Sequence, residues 1–372
     1  MKEPEPIQQI GRTYIRVGGR RLSYFSGCDY FRLASHPQVV AALSEGVKKY
    51  GLNVAASRLT TGNHKLYVEL ERRLAQFFDA PSALVVSSGY VTNLIVAQTL
   101  AGTFSHALLG EEAHPSLLDA SRFLDCPVLR FRHRDPKDAA RAVQRCGPGA
   151  KLILLTDGMF SRDGSAAPLA EYLQVLPKDA LMLVDDAHGA GVLGPTGKGT
   201  LEHAGVDRAR IIQTITLSKA FGVYGGAILG SKPLRKKILD RSQLFVGSTP
   251  PPLPLAKAAL QSLQILKSDA TLRQRLLRNA LRVKAALRQA GLEVSDTPGP
   301  IIYISPRHAA QAARLSRQLV DAGIYPPFLR YPNGPAGGYY RFVISSEHTT
   351  AQLESLIEVL VRQAQEKGGT TL

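Results

Sequence analysis

The chain has 372 residues, too many for one small core, which implies a large domain with a smaller companion. Hydrophobic residues make up 44% and charged residues 20%, ordinary for a soluble globular protein, and the longest apolar runs are of strand length, far short of a membrane span. The net charge of +16 raises nucleic-acid binding, but the basic residues fall in short groups: Arg20-Arg21, residues 130–134, Arg235-Lys236-Lys237, and Arg273, Arg275, Arg278 and Arg282 at helical intervals. That distribution reads equally as solvated helix faces or as attraction for an anionic substrate, such as a coenzyme A thioester or an acidic carrier protein. No nucleic-acid recognition motif accompanies it. Residues 1–6 carry no basic start followed by an apolar core. Cys28, Cys126 and Cys146 lack metal-ligand spacing, and their odd number argues against a full disulfide framework. The expectation is a cytoplasmic enzyme without a metal.

In chain order, seven β-rich runs stand at 83–87, 106–109, 128–131, 151–155, 181–184, 211–216 and 226–229. Helical spacing fills most gaps between them, for example at 92–100 and 136–144, so the runs predict a largely parallel, doubly wound sheet. Only about ten residues separate the last two runs, too few for a helical crossover, and this predicts one antiparallel neighbour. After the proline-rich stretch 249–254, a long helical segment over 255–290 leads into a smaller α/β unit. That unit holds a strand at 301–305, a helix at 309–322, a strand at 340–344 and a final helix at 350–366. The expected divisions are an N-terminal segment, 1–45, packing with the small domain, a large domain, 46–250, and a small C-terminal domain, 251–372.

In open α/β sheets the ligand sits beyond the carboxyl ends of the strands, so the residues that follow each strand test for a site. The first run ends in Ser87-Ser88-Gly89-Tyr90 and passes straight into a helix, where a glycine lets backbone N–H groups receive a phosphate. The run from Leu181 delivers Asp185 and His188 in Asp185-Asp186-Ala187-His188-Gly189. The run from Ile211 delivers Thr216, Ser218 and Lys219, followed by Ala220-Phe221-Gly222. An amine, a carboxylate, an imidazole and a phosphate cradle on one rim are what pyridoxal 5′-phosphate (PLP) needs. Lys219 would hold the cofactor as a Schiff base and then move the α-proton of an amino-acid substrate.

These segments, with Phe160-Ser161-Arg162-Asp163-Gly164 and the stretch 29–37, resemble the α-oxoamine synthases, a subfamily of the fold-type I PLP enzymes. The resemblance runs from about residue 29 to Arg341 and implies a seven-stranded, mostly parallel sheet with one antiparallel strand and a smaller C-terminal α/β domain. It implies a PLP-dependent acyltransferase that condenses an amino acid with an acyl thioester, on CoA or an acyl carrier protein, with decarboxylation to an α-amino ketone. By position, Asp185 pairs with the pyridinium nitrogen, and His188, with Ser161 nearby, bonds the ring hydroxyl. Gly89, Tyr90 and Thr216 hold the phosphate, with Asn93 bordering that turn, and His114 stacks on the ring. A homodimer is implied, one subunit lending Ser248 or Thr249 to the other's site, and Arg341 grips the substrate carboxylate. The alternatives are an aminotransferase of the same fold or an inactive accessory subunit. An intact Lys219, Asp185 and His188 speak against the latter, and a histidine at 114 rather than an aromatic residue speaks for acyl transfer.

The resemblance breaks at three points. Where the family reads Ser-Asn-Asp-Tyr-Leu-Gly, this chain has Gly27-Cys28-Asp29-Tyr30-Phe31-Arg32, with Cys28 in place of the asparagine. The loop before Ser57-Arg58 carries Ala55-Ala56 in place of glycines, which only glycine adopts without strain at positive φ. The turn over 335–341 is one residue short and lacks a second arginine.

Overall fold

The computed structural model describes residues 5–330 and 334–368; residues 1–4, part of the stretch read for a leader, lie outside them. Two compact units emerge, one of residues 36–160 and 166–270, the other of residues 5–35, 161–165 and 271–368. These divisions differ from those expected at 45 and 250. Helix Pro37–Tyr50 packs against helix Leu253–Ser268, so closely that a β-carbon on Gly46 would stand 2.8 Å from Pro254 Cα. Both segments therefore belong to the larger unit.

Numbered along the chain, the strands begin with an antiparallel ribbon in the smaller unit, β1 (Gln8–Gln9), β2 (Tyr14–Val17) and β3 (Arg20–Ser23). The larger unit holds β4 (Ser82–Val86), β5 (His106–Gly110), β6 (Val128–Phe131), β7 (Leu152–Asp157), β8 (Leu181–Asp185), β9 (Ile211–Thr216) and β10 (Gly226–Gly230). They form one sheet in the order β4-β10-β9-β8-β7-β5-β6. β10 runs antiparallel to both β9 and β4, as the short gap before it predicts, and the pairs from β9 to β6 are parallel. β7, β9 and β10 are buried along their whole length, since helices cover both faces. Leu84, Ile95, Val96, Leu109 and Leu155 pack on one face, and Leu108, Leu154, Tyr172 and Met182 on the other.

The helical segment expected over 255–290 is two helices, Leu253–Ser268 and Ala270–Gln289. Asp269, at φ −110° and ψ 84°, leaves the helical region between them, as a residue with a short polar side chain does readily. The smaller unit closes with β11 (Ile301–Ile304), β12 (Phe328–Leu329) and β13 (Tyr339–Val343), an antiparallel sheet in the order β11-β13-β12. Helices Ala309–Asp321 and Thr350–Gly368 cover it around Phe25, Val283, Ile302, Leu319, Phe342 and Leu356. The N-terminal ribbon joins this unit through Ser23, whose N–H donates to Gly323 O at 2.7 Å. The ribbon and the two-residue β12 escape sequence reading because neither is long enough to display a period.

Candidate active site

The carboxyl ends of β4, β8 and β9 converge on a cavity of about 260 Å³ in the larger unit, lined by Ser88, Gly89, Tyr90, His114, Asp185, His188 and Lys219 among others. Ser88 ends the extended chain and caps helix Gly89–Thr99, its hydroxyl accepting from Val91 N at 3.4 Å. Gly89 has to be glycine for a steric reason: a β-carbon there would lie 2.6 Å from Thr216 Cβ. The amino end of the helix is thereby pressed against the end of β9, where backbone donors suit an anion.

Lys219 lies in the short link between β9 and β10. The link is tied by Leu217 N to Gly225 O at 2.9 Å, by Gly222 N to Lys219 O at 2.9 Å and by Ser218 N to Thr216 Oγ1 at 3.1 Å. The antiparallel return of β10 leaves this link no room to wander. Asp185 ends β8 and is 7% exposed. Its Oδ2 accepts from Asn93 Nδ2 at 2.6 Å and lies 3.2 Å from Ser116 Oγ, and its Oδ1 accepts from Ala187 N at 3.1 Å. Next in sequence, Asp186 turns the other way and holds the turn from behind, accepting from Thr200 N, Thr200 Oγ1 and Gln213 Nε2 at 2.6–2.9 Å. Burial pushes the Asp186 carboxyl up to about 6 despite these donors. His188, buried, comes off the same turn.

His114 caps helix Pro115–Arg122, its Nδ1 accepting from Ser116 N at 3.2 Å, and its own N–H donates to Asp157 Oδ2 at 2.8 Å. Burial, and then Lys219, hold the His114 imidazole below its usual range against the pull of Asp185. Asp157, at the end of β7, is pushed well above the usual carboxylate range by burial and then by Asp185.

Of the residues expected from sequence, Gly89, Tyr90, His114, Asp185, His188, Thr216 and Lys219 all line this cavity. Asn93 does not. It is fully buried behind Asp185, donating to it and accepting from Thr214 Oγ1 at 2.7 Å, and so buttresses the carboxylate. Ser248 and Thr249 also stand outside the lining, and Ser248 Oγ donates to Phe245 O at 3.1 Å. Ser161 and Arg341 belong to the smaller unit, where Arg341 Nε donates to the Ser161 carbonyl and both Nη atoms face Cys28 Sγ, at 3.7 and 3.6 Å. Sequence reading missed Asp157 and Ser116. The strand-end rule that found Asp185 would have found Asp157, the last residue of β7.

Two of the three departures keep the backbone that glycine would give. Arg32 sits at φ +53° and Ala55 at φ +49°, both left-handed and costly for residues with a β-carbon. In the shortened turn Gly338 takes φ +75°, where a β-carbon would meet Phe328 Cζ at 2.5 Å.

The sequence pattern of the aminotransferase class I and II family matches residues 28–360, and the chain belongs to that family. Among curated relatives, the 8-amino-7-oxononanoate synthase of Thioalkalivibrio sulfidiphilus (strain HL-EbGR7) is 37% identical over 93% of this chain and 89% of its own. That of Nitrosococcus oceani is 34% identical over 94% and 93%. Among solved structures, serine palmitoyltransferase from S. paucimobilis with bound PLP superposes with a TM-score of 0.90 at 27% identity, covering 98% of this chain and 93% of that one. The 8-amino-7-oxononanoate synthase from Francisella tularensis does so with a TM-score of 0.79 at 25% identity, over 92% and 98%. The fold is that of the fold-type I PLP enzymes, and the chemistry is that of the α-oxoamine synthases. They carry out PLP-dependent condensation of an amino acid with an acyl thioester, with decarboxylation to an α-amino ketone.

Proposed function

We propose that this chain condenses alanine with an acyl thioester, using PLP held by Lys219, Asp185, His188, Gly89, Tyr90 and Thr216. The observation that carries the reading is the convergence of a lysine, a buttressed carboxylate, a buried imidazole and a glycine-opened helix terminus on one cavity. The donor set fits the cofactor. Lys219 offers an amine for its aldehyde carbon, and Asp185 a charge for its ring nitrogen. His188 and Ser161 suit its ring hydroxyl, His114 a ring face, and the Gly89 and Tyr90 amides with Thr216 its phosphate. When bound, PLP supplies an electron sink for negative charge at the substrate α-carbon.

The protein's own part is positioning and proton transfer. Lys219 takes the α-proton as general base and returns one as acid after the new carbon–carbon bond has formed. Asn93 and Ser116 keep the Asp185 carboxylate from rotating away from the ring nitrogen. Arg341 receives the substrate carboxylate with its planar fork until it leaves as carbon dioxide. The net charge of +16 favours approach of an anionic thioester, on CoA or on an acidic carrier protein.

The choice of alanine rests on the product named for the relatives. In 8-amino-7-oxononanoate, the amino-bearing C8 with its C9 methyl is alanine without its carboxylate, and C1–C7 is a seven-carbon acyl chain. Serine, named for the structural neighbours, is the competing donor. A homodimer completes the reading, with Ser248 or Thr249 of the partner subunit supporting the phosphate. The exposed apolar side chains of Val40, Val47, Leu52 and Leu59 support such a pairing. Cys28, Cys126 and Cys146 as free thiols suit the reducing cytoplasm, where the reading places the enzyme.

The test is to load the protein with PLP, add alanine, glycine or serine with a panel of acyl-CoA thioesters, and follow thiol release. Alanine-dependent release is expected, with Lys219→Ala at least about a thousandfold slower. Borohydride treatment should tether the cofactor to the peptide that carries Lys219. Wild-type turnover in Lys219→Ala would sink the assignment.

A further inference from the structure

Arginine offers a carboxylate two bidentate edges, one formed by Nε with an Nη and one by the two Nη atoms. In Arg341 the first is spent, because Nε donates to the Ser161 carbonyl. On the second edge stands Cys28 Sγ, nearly equidistant from Nη1 and Nη2, at 3.7 and 3.6 Å. A carboxylate caught by that edge would need the same place. The chief groups acting on the guanidinium charge are Cys28, Tyr30 and Tyr339, none of them a carboxylic acid. Burial works against the charge of Arg341, yet Cys28 and Tyr30 hold it above the ordinary arginine value. Tyr30, fully buried, hydrogen-bonds to both Cys28 and Arg341, and burial keeps its phenol well above the usual range.

The backbone presenting Cys28 is braced from several sides. Tyr30 N donates to Cys28 O at 2.9 Å, and the Asp29 carboxylate accepts from Leu33 N and Ala34 N at 2.9 and 3.0 Å. Arg32, in its left-handed conformation, donates to Tyr24 O at 2.9 Å, while Arg12 donates to the carbonyls of Phe31 and Arg32 at 3.2 Å. With the chain so fixed, rotation about the Cα–Cβ bond is the freedom left to the sulfur.

We propose that Cys28 occupies the carboxylate-binding edge of Arg341 and is displaced when an amino-acid substrate binds, which makes it the residue that sets amino-acid affinity. The inference rests on the reading of Arg341 as the carboxylate receptor. A thiol is a weaker acceptor than a carboxylate, so the substrate wins, but its affinity is reduced by what the thiol gives up.

The experiment titrates the PLP-loaded protein with alanine and with ethylamine, its counterpart without the carboxylate, following the cofactor's absorbance. In Cys28→Ala the dissociation constant for alanine should fall about 3- to 10-fold, while that for ethylamine stays put. Cys28→Ser, nearly isosteric but with a better acceptor on the same edge, should instead raise the dissociation constant for alanine and leave that for ethylamine unchanged, and it serves if the alanine variant does not fold. Arg341→Ala should erase the preference for alanine over ethylamine. If Arg341→Ala keeps that preference, the carboxylate-receptor reading fails and the inference with it. If Arg341→Ala loses it but Cys28→Ala binds alanine no more tightly, or more weakly, the displacement inference alone is overturned. Equal shifts for both ligands would reduce Cys28 to a structural role.

Discussion

Ser116 has one hydroxyl proton and two acceptors within reach, His114 Nδ1 at 2.7 Å and Asp185 Oδ2 at 3.2 Å, while its oxygen accepts from Asn93 Nδ2 at 2.9 Å. It links the residue proposed to cover the cofactor ring with the residue proposed to pair with its nitrogen. Ser116→Ala should weaken PLP binding about 10-fold, the scale of one lost hydrogen bond to a charged group, measured as the cofactor's dissociation constant. An unchanged constant would mean that Asn93 alone orients Asp185. Asp185, His188 and Lys219 were legible in the sequence because strand ends in a parallel sheet face one rim. Ser116 was not, since it meets Asp185 across 69 residues of chain and occupies a position that reads as a helix start.

Helix Ala270–Gln289 carries a lysine where an amphipathic helix should be apolar. Lys284 is 1% exposed and gives its three protons to Thr297 O, Thr297 Oγ1 and Gly299 O, each at 2.7 Å. Thr297 Oγ1 in turn donates to Asp163 O at 2.9 Å, and Gly299 N to Gly164 O at 3.0 Å. One buried ammonium therefore secures residues 161–165, the insertion that carries Ser161, to the smaller unit. Burial pushes Lys284 from the ordinary 10.5 down to about 8. Between those values the unfolded chain binds the extra proton, so the contribution of Lys284 to stability rises with pH across about 8 to 10.5. Denaturant unfolding of wild type and Lys284→Met over that window should show the difference moving in favour of wild type. A flat difference would mean that the ammonium is not disfavoured by its site. Nothing in the local sequence marks this lysine, because its acceptors lie beyond the helix end and its neighbours are ordinary surface cations.

At the scale of the whole molecule, part of the positive charge is already engaged. Arg275, Arg282 and Arg288 pair with Glu347, Glu354 and Asp296 at 3.1, 2.6 and 3.0 Å, the last two as exposed pairs that add little stability. The basic intervals of this helix are in that part a solvated, salt-bridged face. The larger unit, by contrast, leaves Leu52 69% exposed and Val47 42% exposed, apolar side chains that the proposed dimer would cover. With Val47→Asp and Leu52→Asp combined, the proposed dimer should sediment as a monomer, and turnover should fall with loss of the hydroxyl lent by the other subunit. A monomer with full turnover would remove the shared site from the proposal.

Local pattern along the chain sufficed for the sheet, its one antiparallel strand, and the lysine, aspartate and histidine on its rim. Each of these follows from local alternation of strand and helix and from gap lengths too short for a crossover. Tertiary structure alone decided what stands behind and beside them. Asn93 became a buttress because helix Gly89–Thr99 packs under the end of β8, and residues 161–165 joined the smaller unit because Lys284 and Gly299 hold them there. Cys28 came to face Arg341 across 313 residues, through a backbone that accepts a left-handed arginine. Such contacts depend on which distant surfaces meet, and spacing along the chain carries no record of that.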